Sequence, residues 1–193
     1  MTHEGRKQLW LLVGGNGAGK STFYRTRLAS LGLPFVNADD VARQLFPDAP
    51  EARSYDAARA AEELRLQLVR EGRSFCFETV FSHPSKVDFV AHAKSLGYEV
   101  VLVLVHVSTV ALNQARVSQR VSEGGHAVPD DKVTARIPRV LAHVRDALPL
   151  CDQVRVLDNS SLSDPFRPVL TVRAGAVERH VDPLPAWAAA LIP

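Results

Sequence analysis

Leu9-Trp10-Leu11-Leu12-Val13-Gly14-Gly15-Asn16-Gly17-Ala18-Gly19-Lys20-Ser21-Thr22 begins as an apolar, strand-like run, breaks into a glycine-rich turn and closes on a lysine and two hydroxyls. Gly14, Gly19, Lys20 and Ser21 fill the fixed positions of the P-loop pattern G-x-x-x-x-G-K-[ST]. Each position has a physical task. The glycines let the backbone N–H groups from Gly14 to Gly19, Asn16 and Ala18 included, turn inward around phosphate oxygens. Lys20 carries charge to the β and γ phosphates, and Ser21, with Thr22 behind it, offers a hydroxyl to Mg²⁺. A merely structural glycine turn between strand and helix would leave Lys20 without a purpose. The segment therefore predicts an ATP–Mg²⁺ site at the carboxyl edge of a parallel sheet.

The rest of the chain fits that frame. Short runs rich in Val, Phe and Leu alternate with longer helical patterns, the βαβ signature of a parallel sheet covered on both faces. The expected strands are 8–13, 35–37, 74–78, 99–107 and 153–157, with helices near 20–31, 40–46, 52–71, 85–96, 109–122 and 131–147. Val100-Val101-Leu102-Val103-Leu104-Val105 lacks alternation, so it should be a central strand buried on both sides. Gly32, Gly72 and Gly97 stand where helix C-caps belong. Beyond Pro165 the pattern changes to a β-hairpin, Pro168 to Arg173 and Ala176 to Val181, turning at Ala174-Gly175. The expected fold is α/β: a nucleotide-kinase-like P-loop NTPase with a five-stranded parallel sheet, helices on both faces and a C-terminal β-hairpin. Residues 1–193 read as one domain, with a core to 165, a lid at about 116–140, and the hairpin and tail from 166.

Composition narrows the partners. With 193 residues, 46% hydrophobic, 23% charged and a net charge of +2, the chain resembles an ordinary globular enzyme and lacks a basic nucleic-acid surface. Its longest apolar run is too short to span a bilayer. Cys76 and Cys151 form no C-x-x-C spacing, which argues against a zinc site or disulfide framework and fits a reducing cytoplasm.

Other residues that carry chemistry cluster at predicted strand ends. After Phe35-Val36-Asn37 come Ala38-Asp39-Asp40. Asp39 is the candidate general base for an acceptor hydroxyl, the alternative being an N-cap on a helix beginning at Asp40. Glu78-Thr79 ends the third strand. Glu78 is expected to orient substrate or to hold the metal together with Ser21; its competing role is pairing with a structural arginine. Ser82-His83-Pro84-Ser85-Lys86 reads as a helix start, with Ser82 as the simple N-cap and with Ser82, His83 and Lys86 facing an approaching substrate.

Arg116 and Arg120 lie four apart on one helix, Gly124-Gly125-His126 breaks it, and Arg136 and Arg139 flank Pro138 in the next. That order suits a lid whose guanidinium groups grip phosphate oxygens, against the plain alternative of a solvated charged face. Pro138 should bend its helix. Asn159, in the polar loop after the fifth strand, could read adenine or belong to a simple turn. Guanine-reading N-K-x-D is absent, and Val121-Ser122-Glu123-Gly124-Gly125-His126 matches the ABC signature only loosely. Both facts point away from GTPases and ABC ATPases and towards small-molecule kinases.

With these motifs in place, the chain resembles the small, single-domain members of the zeta-toxin family of P-loop phosphotransferases. The resemblance rests on Gly14 to Thr22, on Phe35-Val36-Asn37-Ala38-Asp39-Asp40, on Phe77 to Lys86 and on Arg120 to Pro129, and it spans residues 8–160. It implies ATP- and Mg²⁺-dependent phosphorylation of a sugar hydroxyl, best known for UDP-N-acetylglucosamine at the 3′ position of the amino sugar. Asp39 corresponds to the family's catalytic aspartate and Glu78 to its substrate-contacting glutamate. Lys20, Arg120 and Arg136 would complete the transfer machinery, and an antitoxin protein would be a partner. This chain is shorter than the longer toxins and has Asn37-Ala38-Asp39 where they often have a more acidic triplet. The reading from a different class is an ATPase switch whose nucleotide state is sensed by a partner protein.

Overall fold

A computed structural model describes residues 6–122 and 128–192. Five parallel strands form its centre: β1 (Gln8–Val13), β2 (Phe35–Val36), β3 (Phe75–Thr79), β4 (Glu99–His106) and β5 (Gln153–Asp158). Then β6 (Arg167–Arg173) and β7 (Ala176–Arg179) return as the expected hairpin. The sheet order is β2-β3-β1-β4-β5-β6-β7, so it has seven strands where five were expected. The hairpin is not a separate appendage. β6 pairs antiparallel with β5, matching Val154 with Val172, and so covers an edge that would otherwise expose unpaired backbone groups.

Helices follow the predicted positions with informative shifts. They are α1 (Lys20–Phe23), α2 (Ala38–Leu45), α3 (Ser54–Arg70), α4 (Ser85–Ser95), α5 (Val110–Ser122), α6 (Asp130–Ala147) and α7 (Ala186–Ala189). The helix expected over 20–31 changes winding, passing from α1 through a π-helical stretch, Tyr24–Leu28, to a 3₁₀ turn, Ala29–Leu31. α2 begins two residues before its expected start because Asn37 caps it: its Oδ1 accepts from the N–H groups of Asp39 at 2.7 Å and Asp40 at 3.2 Å. α6 continues through Pro138 as one helix.

Alternation along β1 divides the core between the two faces. Leu9, Leu11 and Val13 pack with Leu102, Leu104, Val154 and the apolar sides of α3, α4 and α6. Trp10 and Leu12 pack with Val101, Val103 and Val105 under Phe23 and Leu28. β4 supplies both clusters, and its residues from Val100 to Val105 are buried, as its unbroken apolar run predicts. This arrangement delivers the ends of β1, β2 and β3 to one edge of the sheet, with Val13 beside Thr79 and Val36 beside Phe77. No helix among the described residues is long and apolar enough to cross a membrane.

Asp152 ties three elements together below that edge. Its carboxylate accepts from Lys94 Nζ at 2.6 Å and from the Val100 N–H at 2.8 Å, linking α4, β4 and the entry to β5. Burial by itself would raise its pKa, but the Lys94 and Val100 hydrogen bonds outweigh that and hold it below the usual carboxylate range. Asp152→Asn should cost about 1 kcal/mol, since the pair is partly exposed and screened. A carboxyl whose folded pKa is depressed stabilises the fold above its unfolded pKa, and this contribution is lost as the pH falls through the folded value. Urea melts of parent and variant should therefore differ at about pH 7 and converge below the ordinary aspartate value of about 3.9.

Candidate active site

The P-loop turns directly off β1. Gly14 has φ 154°, and a β-carbon there would run into the Val105 carbonyl oxygen of β4, so only glycine lets the loop leave the sheet this closely. Side-chain amides from distant segments hold the loop in place. Asn113 on α5 donates from Nδ2 to the Asn16 carbonyl at 2.7 Å, and Asn159 after β5 donates from Nδ2 to the Ala18 carbonyl at 2.8 Å. From α6, Arg136 Nη1 donates to Asn16 Oδ1 at 3.0 Å.

Lys20 opens α1 and is only 7% exposed. Its ammonium donates to the Gly15 carbonyl at 3.1 Å and lies 3.6 Å from Glu78 Oε1. Burial lowers its pKa; the charges of Glu78 and Asp39 oppose that shift and Arg120 adds to it. The charges of Asp39, Glu78 and Arg120, from three separate segments, all act at Lys20, and Glu78 is in direct contact with it. Ser21 Oγ donates to Glu78 Oε2 at 2.8 Å. Glu78 therefore serves the P-loop and not a structural arginine, because β3 is the strand next to β1 and brings its end to the start of α1. A hydroxyl and a carboxylate this close are hard oxygen donors of the kind Mg²⁺ prefers.

The remaining candidates fall into different roles. Asp39 is exposed in the first turn of α2, and Asn37 performs the capping that Asp39 would otherwise have done. Asp40 pairs with Arg43. Thr79 accepts from the Phe81 N–H at 3.1 Å, bracing a buried phenylalanine held at φ 65°. Its hydroxyl is thus used within the loop. Ser82 does not cap α4: Pro84 is the N-cap residue, and His83 Nδ1 accepts from the Ser85 N–H at 3.2 Å. Lys86 follows in the first turn, half-buried.

On α5, Arg116 is partly buried with Nη1 lacking a partner among the described residues, and Arg120 lies one turn on. Arg139 is exposed on α6, with no hydrogen bond or ion pair among the described residues, while Thr22 is exposed in α1. The break at Gly124-Gly125-His126 lies outside the described residues. Asn159 departs from expectation most clearly. With Nδ2 on Ala18 and Oδ1 accepting from the Phe166 N–H at 3.3 Å, both ends of its buried amide are engaged in bracing the loop, which leaves it no free edge to read a base.

Two buried polar residues escaped the sequence reading. Asn113 is buried and clamps the P-loop, and the only sequence cue was a polar residue on the inner face of α5. Arg65 is a buried cation on α3, hidden by its position among ordinary helix formers.

Comparisons with known proteins agree with this fold. An uncharacterized protein of Haemophilus influenzae is 30% identical over 138 residues, covering 68% of this chain and 98% of its own. In the crystal structure of AvrRxo1-ORF1:-ORF2 with ATP, the matching chain superposes with a TM-score of 0.70 at 17% identity, over 91% of this chain and 61% of that one. This chain thus spans about three fifths of it. The PezAT chromosomal toxin–antitoxin system of Streptococcus pneumoniae gives a TM-score of 0.61 at 17% identity, over 82% of this chain and 69% of that one. Both structures share the P-loop kinase-like fold. Residues 9–145 match the AAA domain family AAA_33, a span running from β1 into α6, and this chain therefore belongs to that family.

Proposed function

We propose that this protein is an ATP- and Mg²⁺-dependent phosphotransferase that moves the γ-phosphoryl group of ATP to a hydroxyl of a small molecule. The observation that carries the proposal is the convergence of Asp39 and Glu78 on the buried Lys20, with Ser21 hydrogen-bonded to Glu78. A nucleotide switch needs a lysine and a hydroxyl for its phosphates; an additional exposed carboxylate beside the phosphate site is what a transfer reaction requires.

In this mechanism the P-loop N–H groups and Lys20 hold the β and γ phosphates. Ser21 and Glu78 would hold Mg²⁺, which would neutralise phosphate charge during transfer. Asp39 takes the proton of the acceptor hydroxyl as its oxygen forms a bond to the γ-phosphorus. The bond from that phosphorus to the bridging oxygen breaks, and ADP leaves. Arg120 and Arg136 counter the charge that develops on the transferred group. Arg116 lies one turn before Arg120 on α5. Thr79, Ser82, His83 and Arg139 have no chemical step in this scheme.

UDP-N-acetylglucosamine is the first acceptor to test, because the resemblance to zeta toxins favours it. A protein partner of the antitoxin kind belongs to the same reading, since two of the similar structures come from two-protein systems.

Lys20→Ala should keep the fold and lose the thermal stabilisation given by ATP–Mg²⁺. For the parent this would be about 2.7 kcal/mol at a hundredfold excess over Kd. Equal stabilisation of parent and variant would remove the P-loop from the mechanism. Asp39→Asn should bind ATP as the parent does while transfer falls by about 10²–10⁴. Mass spectrometry of UDP-N-acetylglucosamine, free sugars and nucleosides incubated with ATP reads the product directly. Parent protein that phosphorylates none of them, or a variant that transfers at the parental rate, would falsify the mechanism and leave the partner-sensed switch.

A further inference from the structure

Arg65 is 6% exposed, yet among the described residues no carboxylate lies within hydrogen-bonding distance of it. Its nearest acidic group is Glu62, with Nη2 to Oε1 at 4.0 Å and the glutamate side chain more than half exposed. Its guanidinium carbon lies 4.9 Å from the ring centre of Phe77 and 5.6 Å from that of Phe89. Two ring faces attract a cation but accept few of its N–H groups, and Nε is buried with no hydrogen-bond partner among the described residues.

A second cation stands beside it. The ammonium of Lys86, one turn before Phe89 on α4, has no hydrogen bond or ion pair among the described residues; burial first and then the charge of Arg65 lower its pKa, against the opposing charge of Glu62. Two neighbouring cations, one buried and under-satisfied, are costly to keep unless an anion arrives to meet them.

The location indicates which anion. Phe77 immediately precedes Glu78 on β3, and Lys86 ends the segment that runs from Glu78 into α4. Arg65 packs on the Phe77 side of the sheet, where Ala38 and Val41 of α2 also pack and where Asp39 begins its helix. α1, which follows the P-loop, covers the opposite face. The pair therefore lies on the same side of the sheet as α2, which carries Asp39, and across the sheet from α1.

We propose that Arg65 and Lys86 form an anion-binding corner of the acceptor site, so that the hydroxyl compound phosphorylated here also carries a phosphate or carboxylate group. This deepens the phosphotransferase reading and rests on it. The corner supplies two attachment points: a guanidinium that can donate two parallel hydrogen bonds and an ammonium that adds charge. It leaves the acceptor's hydroxyl free for Asp39.

Small anions test the corner without any transfer reaction. The protein is first saturated with a non-hydrolysable ATP analogue and Mg²⁺, which occupies the P-loop. Inorganic phosphate and acetate are then titrated separately at constant ionic strength, with chloride as control, and the rise in melting temperature is followed. Saturable stabilisation by phosphate or by acetate, absent with chloride, is the expected result, and the effective anion identifies the acceptor's charged group. In Lys86→Gln and in Arg65→Met the half-saturating concentration should increase about tenfold or more while affinity for the ATP analogue stays the same.

Lys86→Gln sits in the first turn of α4 and keeps the proposal testable if Arg65→Met does not fold. No saturable effect in the parent, or the same half-saturation in a folded variant, overturns the proposal. Anion binding that survives in a protein unable to phosphorylate any acceptor would count against the phosphotransferase reading alone.

Discussion

A buried ammonium governs the architecture of the site. Lys20 begins a helix, loses most of its hydration and is stabilised by one backbone carbonyl and one carboxylate. Such a charge is tolerable only where fixed oxygens or anionic ligands surround it. The neighbouring strand order follows from that requirement. β3 must lie beside β1 for Glu78 to reach Lys20 and Ser21, and β4 must lie on the other side of β1 for its backbone to support Gly14. With phosphate in the loop, the same ammonium would exchange part of its contact with Glu78 for phosphate oxygens, freeing the carboxylate to serve a cation.

Rigidity around the loop comes from amides and not from further charges. Asn113 and Asn159 each hold one P-loop carbonyl, and neither adds a formal charge near the phosphates. Neutral donors suit this task, because another buried cation would push the Lys20 pKa further in the direction that burial already drives it. The multi-donor guanidinium groups stand further out, on α5 and α6, where Arg136 meets the loop through the side chain of Asn16.

Most of the fold was legible because its signals are local. β4 announced itself by an unbroken apolar run, helix ends by glycine, and the phosphate loop by spacing, and Lys20, Ser21 and Glu78 do meet in space. Departures from expectation share one cause, which is that they depend on contacts between residues far apart in the chain. The hairpin could be read from its turn, but nothing near residues 167–179 revealed that Val172 would pair with Val154. Asn159 looked free for a base because its two partners, Ala18 and Phe166, lie in other segments. Arg65 carried no signal of its own, since the rings that cover it come from β3 and α4. The cap expected at Ser82 failed for a smaller reason, because its neighbour His83 made the bond, and the alternative cap role at Asp39 went to Asn37 in the same way.

The Asn159 amide also sets an order of events during synthesis. It joins Ala18, near the beginning of the chain, to Phe166, whose ring meets Phe23 of α1 at a centroid distance of 5.2 Å. A chain emerging from the ribosome can form β1 and the first helix early, but the brace on its phosphate loop is complete only after residue 166 has cleared the exit tunnel. The loop is therefore fixed well after it is made, and nascent chains cut short before the hairpin would carry the P-loop sequence without its finished shape.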